Sequence, residues 1–242
     1  MILISAVGCL TMIGCGSPAS RINAAAPKGT GMMLLEAPLT KGKAKYSIFV
    51  PYNYDPKLKW PTIVFLHGLF EGGSDGKKNT TVGLGPVVAS KAKTFGFIVV
   101  FAQTGGSWSN DSEYDKVIAV LDDASRRYSV DADRVTITGL STGARGVWGT
   151  AARYPDRFCA MVPIGGYEVK SAIPKTKHIP AWAFHNRGDP FVLALSSSNM
   201  IKWHKAAGGE GKLTLYTALG HNAWGSAYAD KELWKWIASK KR

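Results

Sequence analysis

Short runs of apolar, β-branched and aromatic residues recur along the chain, separated by turn residues and helix-compatible stretches. Continuous runs of this kind are typical of strands buried on both faces of a sheet. They lie at 62–66, 98–101, 135–138, 161–164 and 181–184. Residues 46–50 instead alternate in polarity, which predicts an antiparallel edge strand. The helix-compatible stretches are 86–94, 114–128, 142–154, 197–207 and 227–239. Strands that alternate with helices predict an α/β fold with a mostly parallel central sheet and helices on both faces.

The N-terminal stretch has a different pattern. Residues 2–13 form an apolar segment that is too short to span a bilayer and has the shape of a secretory signal. Residues 12–17 resemble a bacterial lipobox, in which Cys15 becomes the lipidated first residue, although Met12 stands where leucine is usual. We therefore predict an exported chain with a signal peptide and lipobox over 1–15, a flexible tether over 16–43 and one folded domain over 44–242. A plain cleaved signal and an ordinary apolar N-terminus are the alternatives.

Composition and charge narrow the range of partners. The chain has 242 residues, 45% of them apolar and 19% charged, and no composition break that would suggest two domains. Lys and Arg outnumber Asp and Glu by 30 to 17, but the excess is dispersed and forms no basic stripe with interleaved aromatics. We therefore expect no nucleic-acid partner. Membrane contact is expected only through the N-terminal lipid anchor, since no later apolar run reaches the roughly 18 residues of a span.

The sequence Gly-Leu-Ser-Thr-Gly at 139–143 ends a predicted strand and opens a predicted helix. A nucleophilic serine on so tight a turn needs glycines two positions to either side, because larger side chains would collide there. We therefore predict that Ser141 is a nucleophile. The alternative is a Gly-Ser turn that merely joins a strand to a helix, and it would make the acid and base found downstream coincidences.

A serine hydroxyl is a poor nucleophile on its own. It needs a neutral imidazole to accept its proton and a carboxylate to hold that imidazole in the right tautomer. Asp189 follows the predicted strand 181–184 through a short loop, and His221 follows the apolar run 213–216 through Gly220. The sequence therefore predicts a catalytic set of Ser141, Asp189 and His221.

The other four histidines have less suitable positions. His67 and His185 end predicted strands, and we expect both to have structural roles. His204 lies in the middle of a predicted helix between lysines, where we expect it to be solvated. His178 lies in a connection with no evident partner. Only His221 combines the order and the loop position that a catalytic base requires.

Acyl transfer also needs two donors for the negative charge that develops on the substrate oxygen. The backbone NH of Thr142, which follows the nucleophile, and that of Leu69, which follows His67-Gly68, are the predicted oxyanion donors. Trp224 and Trp108 follow strand ends and are predicted to line the substrate cleft. The alternative for Trp224 is that it attaches the last helix to the core.

No metal or organic cofactor is predicted. The carboxylate pairs 122–123 and 131/133 lack further ligands spaced for Ca²⁺, and Gly83-x-Gly85 lacks the strand-to-helix context of a nucleotide site. Cys9 and Cys15 lie in the predicted signal. That leaves Cys159 on an apolar run, where we expect a buried thiol without a disulfide partner.

Several of these stretches resemble the bacterial α/β-hydrolases known as prolyl-oligopeptidase-like predicted peptidases, and also the esterase D, feruloyl-esterase and dienelactone-hydrolase-like branches. The stretches are 64–68 with 72–75, 138–143, 151–158, 180–190 and 220–224. The resemblance runs from residue 46 to the end. It implies an α/β-hydrolase fold with the family's Ser, Asp and His at Ser141, Asp189 and His221. Ala144-Arg145 and His185-Asn186 depart from the family pattern, and the first places a cation near the nucleophile helix.

The sequence as a whole predicts a secreted or lipid-anchored serine hydrolase that cleaves carboxylic esters through an acyl-enzyme. The expected substrate is a small-molecule or polysaccharide ester, with acyl or feruloyl groups on a polysaccharide as the candidates. A serine peptidase is the alternative within enzymes. A catalytically idle scaffold used for binding is the alternative outside them, although such a scaffold would need none of the three catalytic groups.

Overall fold

The computed structural model describes residues 26–242. The predicted signal over 1–15, with Cys9 and the lipidation site Cys15, and the first ten residues of the predicted tether lie outside the described residues. Within 26–242 the chain forms a sheet of eight strands in the order β1-β2-β4-β3-β5-β6-β7-β8. The strands are Gly31–Pro38 (β1), Lys43–Val50 (β2), Trp60–Leu66 (β3), Ile98–Ala102 (β4), Val130–Leu140 (β5), Ala160–Ile164 (β6), Ala181–Gly188 (β7) and Gly211–Leu219 (β8).

Strands β3 to β8 are parallel to one another, whereas β2 is antiparallel to both β1 and β4. The α-helices are Leu84–Ser90 (α1), Asp111–Arg127 (α2), Thr142–Arg153 (α3), Ile173–Thr176 (α4), Ala194–Ala206 (α5), Trp224–Ala229 (α6) and Lys231–Ser239 (α7). None of the helices within 26–242 combines the length and the apolar character needed to cross a lipid bilayer.

Two hydrophobic clusters cover the two faces of the sheet. In β3, Val64 and Leu66 belong to one cluster, and Ile63 and Phe65 belong to the other. Because alternate side chains of a strand point to opposite faces, a strand covered on both faces needs a continuous apolar run. This arrangement confirms the predicted fold class, a mostly parallel sheet between two layers of helices.

Several boundaries differ from the sequence prediction, and three of the differences change the description of the fold. Strand β1 lies inside the predicted tether and pairs along its whole length with β2, so β1, and not the predicted strand 46–50, forms the edge of the sheet. The predicted helix 227–239 is two helices, because Asp230 interrupts it with an extended backbone and its side chain accepts a hydrogen bond from the NH of Glu232, capping α7. The strand predicted at 135–138 extends over Val130–Leu140.

The parallel strands bring their carboxyl ends to one edge of the sheet. His67 follows β3, Ser141 follows β5, Asp189 follows β7 and His221 lies two residues after β8. Ligands and catalytic groups of open parallel sheets gather at this edge. The topology therefore collects residues that are far apart in the sequence.

Candidate active site

Ser141 occupies a strained turn between β5 and α3. Its φ of 55° and ψ of −118° lie outside the regions that residues with a side chain normally adopt. Its backbone NH donates to the carbonyl oxygen of Ile164, 2.9 Å away at the end of β6. Strain of this kind persists only where the surrounding structure enforces it, and it is typical of functional turns.

Steric constraints require the glycines on either side of Ser141. A Cβ on Gly143 would lie 2.2 Å from the carbonyl oxygen of Leu66, and a Cβ on Gly139 would lie 2.6 Å from the carbonyl carbon of Gly143. Both distances are far below van der Waals contact. The strand, the turn and the helix can therefore meet only if positions 139 and 143 have no side chain, as the motif predicts.

Asp189 is buried beneath the loop that follows β7. Its Oδ1 accepts hydrogen bonds from the backbone NH groups of Phe191 at 2.9 Å and Val192 at 3.0 Å. Burial by itself would raise the pKa of the Asp189 carboxyl, but the hydrogen bonds from His221, Val192 and Phe191 outweigh it, so the pKa lies below its ordinary value. Asp189 is therefore a buried carboxylate that stays ionised.

His221 lies directly against this carboxylate. The distance from its Nδ1 to Oδ2 of Asp189 is 2.5 Å. Because the carboxylate accepts, the hydrogen lies on Nδ1 and Nε2 is left as a proton acceptor. The same ring packs edge-on against Trp224, with centroids 5.3 Å apart.

His221 and Ser141 both lie near the end of β6. The position of a Cβ on Gly165 would be 3.6 Å from Cε1 of His221. The residue before Gly165 is Ile164, whose carbonyl binds the NH of Ser141. The structure thus joins His221 to Asp189 and places both near Ser141, although within 26–242 no hydrogen bond joins Oγ of Ser141 to His221.

A cavity of about 260 Å³ opens at this point. We call it the Ser141 cleft. It is lined by Gly68, Leu69, Phe70, Glu71, Val82, Leu140, Ser141, Thr142, Tyr167, Phe191, His221 and Trp224. Its lining therefore includes the serine and the histidine of the predicted catalytic set, one of the two predicted tryptophans and both predicted oxyanion donors.

Leu69 and Thr142 each stand at the first position of a helix. Leu69 opens the short 3₁₀ helix Leu69–Glu71, and Thr142 opens α3. The first NH groups of a helix have no acceptor within that helix. Both groups are therefore suited to bind an oxygen that carries negative charge.

The two tryptophans have different positions. Trp224 lines the Ser141 cleft, as predicted. The prediction for Trp108 is wrong, because its side chain is fully buried. Its Nε1 donates to the carbonyl oxygen of His67 at 2.9 Å, and a Cβ on Gly146 would lie 2.6 Å from its Cβ. Trp108 therefore supports the loop after β3 and does not line the cleft.

His67 has the structural role that the sequence predicts. Its Nδ1 lies 2.6 Å from the carbonyl oxygen of Gly68, and its Nε2 accepts a hydrogen bond from the NH of Thr104 at 3.1 Å. Burial lowers the pKa of His67. The neutral ring therefore links the loop that carries Leu69 to the loop after β4.

His185 is also a buried, hydrogen-bonded histidine, as predicted. Its Nε2 lies 3.2 Å from Oδ2 of Asp189 and 2.9 Å from the carbonyl oxygen of Val192, and its Nδ1 lies 2.7 Å from Oγ of Ser197. Burial lowers the pKa of His185. Since both neighbours of Nε2 are acceptors, the neutral ring carries its hydrogen there and accepts from Ser197.

The expectation for His204 is wrong. The side chain is fully buried and packs edge-on against Trp148, with ring centroids 5.6 Å apart. The lysines near it in sequence are exposed, because a helix with one buried face places neighbouring residues in different surroundings. Cys159 is buried and free, as predicted.

The cation that the sequence places near the nucleophile helix lies on that helix but outside the cleft. Arg145 is exposed on α3 and does not line the Ser141 cleft. The charged residue in the lining is Glu71, which sequence reasoning missed together with Phe70, Tyr167 and Phe191. The signal was available for Glu71 and Phe70, since both lie on the loop directly after the predicted donor Leu69.

Two other features of 26–242 bear on ligands. A cavity of about 340 Å³ lies beside α3 and α4, and its lining includes Arg153 and Lys175 but none of the predicted site residues. Among the described residues there is no group of three or more His, Cys, Asp or Glu side chains placed to hold a metal ion.

Comparison with known proteins relates this arrangement to hydrolases. No protein-family model matches the chain. A crystal structure of a thermostable esterase superposes with a TM-score of 0.78 and 27% identity over 87% of this chain and 63% of the other. A ferulic acid esterase of Anaeromyces mucronatus superposes with a TM-score of 0.61 and 15% identity, over 88% of this chain and 93% of the other.

An acylaminoacyl peptidase of Pyrococcus horikoshii is similar in fold, with a TM-score of 0.69 and 14% identity over 87% of this chain and 42% of the other. In sequence, the chain is 23% identical over 147 residues to a bifunctional acetylxylan esterase/xylanase of Neocallimastix patriciarum. The aligned region covers 59% of this chain and 21% of that protein. The chain thus spans only part of several of these proteins. The neighbours confirm the predicted α/β-hydrolase fold and the predicted resemblance.

Proposed function

We propose that this chain is a serine hydrolase that cleaves carboxylic esters through a covalent acyl-enzyme. One observation carries the proposal. A serine on a strained turn lines the same cleft as a histidine whose Nδ1 lies 2.5 Å from a buried carboxylate. An idle binding scaffold would have no reason to keep that combination, since each part has a cost in strain or in burial of charge.

In the first half-reaction, Oγ of Ser141 attacks the ester carbonyl carbon while Nε2 of His221 takes the hydroxyl proton. The carboxylate of Asp189 stabilises the imidazolium that forms. The NH groups of Leu69 and Thr142 bind the oxyanion of the tetrahedral intermediate. The C–O bond to the alcohol then breaks, and His221 returns the proton to the departing alkoxide.

In the second half-reaction, a water molecule takes the place of the alcohol. Nε2 of His221 accepts one proton from the water as its oxygen attacks the acyl carbon. The bond to Oγ breaks, the proton passes to Ser141, and the carboxylic acid leaves. Asp189 stays ionised throughout, which agrees with the lowered pKa of its carboxyl.

The proposed substrate is a short acyl or aromatic acyl ester, either of a small molecule or on a polysaccharide. The cleft holds about 260 Å³ and has a mainly apolar lining with aromatic side chains at its mouth, where Phe70 and Phe191 are 82% and 79% exposed. The similarity of the chain to an acetylxylan esterase/xylanase and to a thermostable esterase supports this choice.

The second candidate is a serine peptidase, which the similarity in fold to an acylaminoacyl peptidase favours. An amide substrate needs a protonated amine leaving group and usually a grip on the extended chain. The esterase proposal needs only the serine, the histidine, the carboxylate and the two NH donors. We therefore place ester hydrolysis first.

The chain is also proposed to be exported and acylated at Cys15, which would attach it to the cell envelope. The support is the short apolar segment and the residues around that cysteine. Mass spectrometry of the mature N-terminus from a native host tests it. A lipid-modified Cys15 is the expected result, and an intact Met1 would overturn the proposal.

Turnover of p-nitrophenyl acetate tests the enzyme proposal. The wild type should release p-nitrophenol with saturation kinetics, and Ser141→Ala should lose this activity while keeping its fold. A wild type without turnover on this and other activated esters would favour the idle scaffold. Ser141→Ala with unchanged turnover would remove Ser141 from the mechanism.

A further inference from the structure

The Ser141 cleft contains one carboxylate that the proposed mechanism does not use. Glu71 is the one carboxylate among the described residues that line the cleft. It stands at the end of the short 3₁₀ helix that Leu69 opens, and it is half-buried. A lone charge in a mainly apolar cavity has a large effect on which ligands can enter.

The geometry places this carboxylate beside the reacting groups. A Cβ on Gly68 would lie 3.0 Å from Oε2 of Glu71 and 3.7 Å from Cβ of Ser141. Glu71 and Ser141 therefore flank the same glycine, and Cδ1 of Leu140 would lie 2.8 Å from the same Cβ position. A substrate whose carbonyl lies at Ser141 has its neighbouring atoms close to Glu71.

The carboxylate of Glu71 is also not neutralised by the protein. Within 26–242 it makes no hydrogen bond and no ion pair, whereas its backbone carbonyl accepts from Nε2 of Gln103 at 3.2 Å. That backbone contact holds the loop without involving the side chain. The carboxylate is therefore free to accept hydrogen bonds from a ligand.

We propose that Glu71 determines specificity in this cleft. Its carboxylate favours esters that carry a hydrogen-bond donor next to the scissile bond, a hydroxyl or more strongly an ammonium group, and it rejects esters that carry a carboxylate there. Like charges brought together in a partly desolvated site repel strongly, while an opposite charge is attracted. The inference rests on the proposed ester hydrolysis and adds the charge of the substrate to it.

The proposed role of Glu71 reverses the substrate preference that the net charge of the chain would predict. The formal charge of +13 would favour acidic substrates at long range. At the reacting atoms the field of Glu71 acts over a much shorter distance and is less screened. We therefore expect neutral, hydroxyl-rich esters such as acylated sugars to react better than esters of sugar acids.

Three phenyl acetates with different groups in the para position test the proposal: a carboxylate, a carboxamide and an aminomethyl group. For each ester, the ratio of kcat/KM in Glu71→Gln to kcat/KM in the wild type cancels the ester's own reactivity. We expect this ratio to rise about tenfold for the carboxylate, stay near one for the carboxamide and fall about tenfold for the ammonium ester. Glu36→Gln, which changes an exposed carboxylate on β1, is the matched control and should leave all three ratios near one.

A second measurement needs no variant. In the wild type, the preference for the ammonium ester over the carboxylate ester should shrink as salt is added, because salt screens the charge of Glu71. The role of Glu71 would be overturned if the ratio of kcat/KM in Glu71→Gln to kcat/KM in the wild type were the same for all three esters. A wild-type preference that does not change with salt would also overturn it. Either result would leave ester hydrolysis intact. A wild type that cleaves none of the three would overturn the proposed function, and this inference with it.

Discussion

His185 and His221 contact the same oxygen of Asp189. Oδ2 lies 2.5 Å from Nδ1 of His221 and 3.2 Å from Nε2 of His185. His185 is fully buried and neutral, and its Nε2 hydrogen is shared between Oδ2 of Asp189 and the carbonyl oxygen of Val192, which lies 2.9 Å from Nε2. In the proposed mechanism, we expect His185 to be a positioning residue that acts on the reaction only through Asp189.

Replacing His185 should affect catalysis more than substrate binding. His185→Phe removes the donor to Asp189, and a hydrogen bond to a charged group contributes about 1.5–3 kcal/mol. We expect kcat to fall by about tenfold or more with KM nearly unchanged. His185→Gln, whose amide can still donate toward Asp189, should recover much of the loss. Equal kcat values for the two variants would contradict the positioning role.

Ser141, Asp189 and His221 should act as one unit. Ser141→Ala, Asp189→Asn and His221→Ala should each lower kcat by about 10³-fold or more, with thermal unfolding near that of the wild type. The double variant Ser141→Ala/His221→Ala should be scarcely slower than Ser141→Ala alone. Steady-state kinetics and circular dichroism check this. Wild-type turnover in Asp189→Asn would show that another carboxylate is the acid.

The two tryptophans should separate binding from stability. Trp224 lines the cleft beside His221, so Trp224→Phe should raise KM by about tenfold with little change in Tm. Trp108 is buried and donates to the backbone of His67, so Trp108→Phe should cost about 2–4 kcal/mol of unfolding free energy. The reverse pattern would mean that Trp224 is a core residue.

The sequence was sufficient to predict the positions of residues that depend on local geometry. The spacing of Gly139, Ser141 and Gly143 reports a contact between β5 and α3 that only glycine allows, so the motif and the structure have the same cause. The loop positions of Asp189 and His221 follow from strand ends, which apolar runs mark well.

The sequence was insufficient where the answer depends on packing between distant segments. Trp108 follows a strand end just as Trp224 lies near one, yet Trp108 is enclosed by His67 and Gly146. Nothing in its neighbours along the chain indicates that enclosure. Strand β1 was missed for a related reason, since its residues are half-exposed on an edge and pair only with β2.

Acid should destabilise this fold through its buried histidines. The side chains concerned are fully buried, and burial lowers the pKa of each: His67, His185 and His204. An unfolded chain then binds protons at a higher pH than the folded one. The stability that the neutral rings contribute is complete above the unfolded value of about 6.5 and is lost as the pH falls toward the folded values.

Urea unfolding between about pH 8 and pH 5 measures this effect. The unfolding free energy should decrease below about pH 6.5, by up to about 1.4 kcal/mol per pH unit for each ring that remains neutral in the folded state. His204→Phe keeps an aromatic ring against Trp148. In this variant, the decrease of unfolding free energy per pH unit should be smaller by the contribution of one histidine. A free energy that does not change over this range would contradict the prediction.

Esters should be cleaved faster than matched amides. An extended peptide brings NH and carbonyl groups that each need a partner when they leave water. The side chains that line the Ser141 cleft are mostly apolar, and Glu71 can accept hydrogen bonds but cannot donate them when ionised. A bound peptide would therefore leave polar groups unsatisfied, and its amine leaving group would also need a proton before it departs.

The measurement is kcat/KM for an acyl ester of p-nitrophenol and the corresponding p-nitroanilide, with Ser141→Ala as the background for both. The ester should be preferred by several orders of magnitude, beyond the difference in their uncatalysed rates. Amide cleavage as fast as ester cleavage would promote the peptidase to the first candidate, and it would require a source of peptide-binding donors outside the cleft.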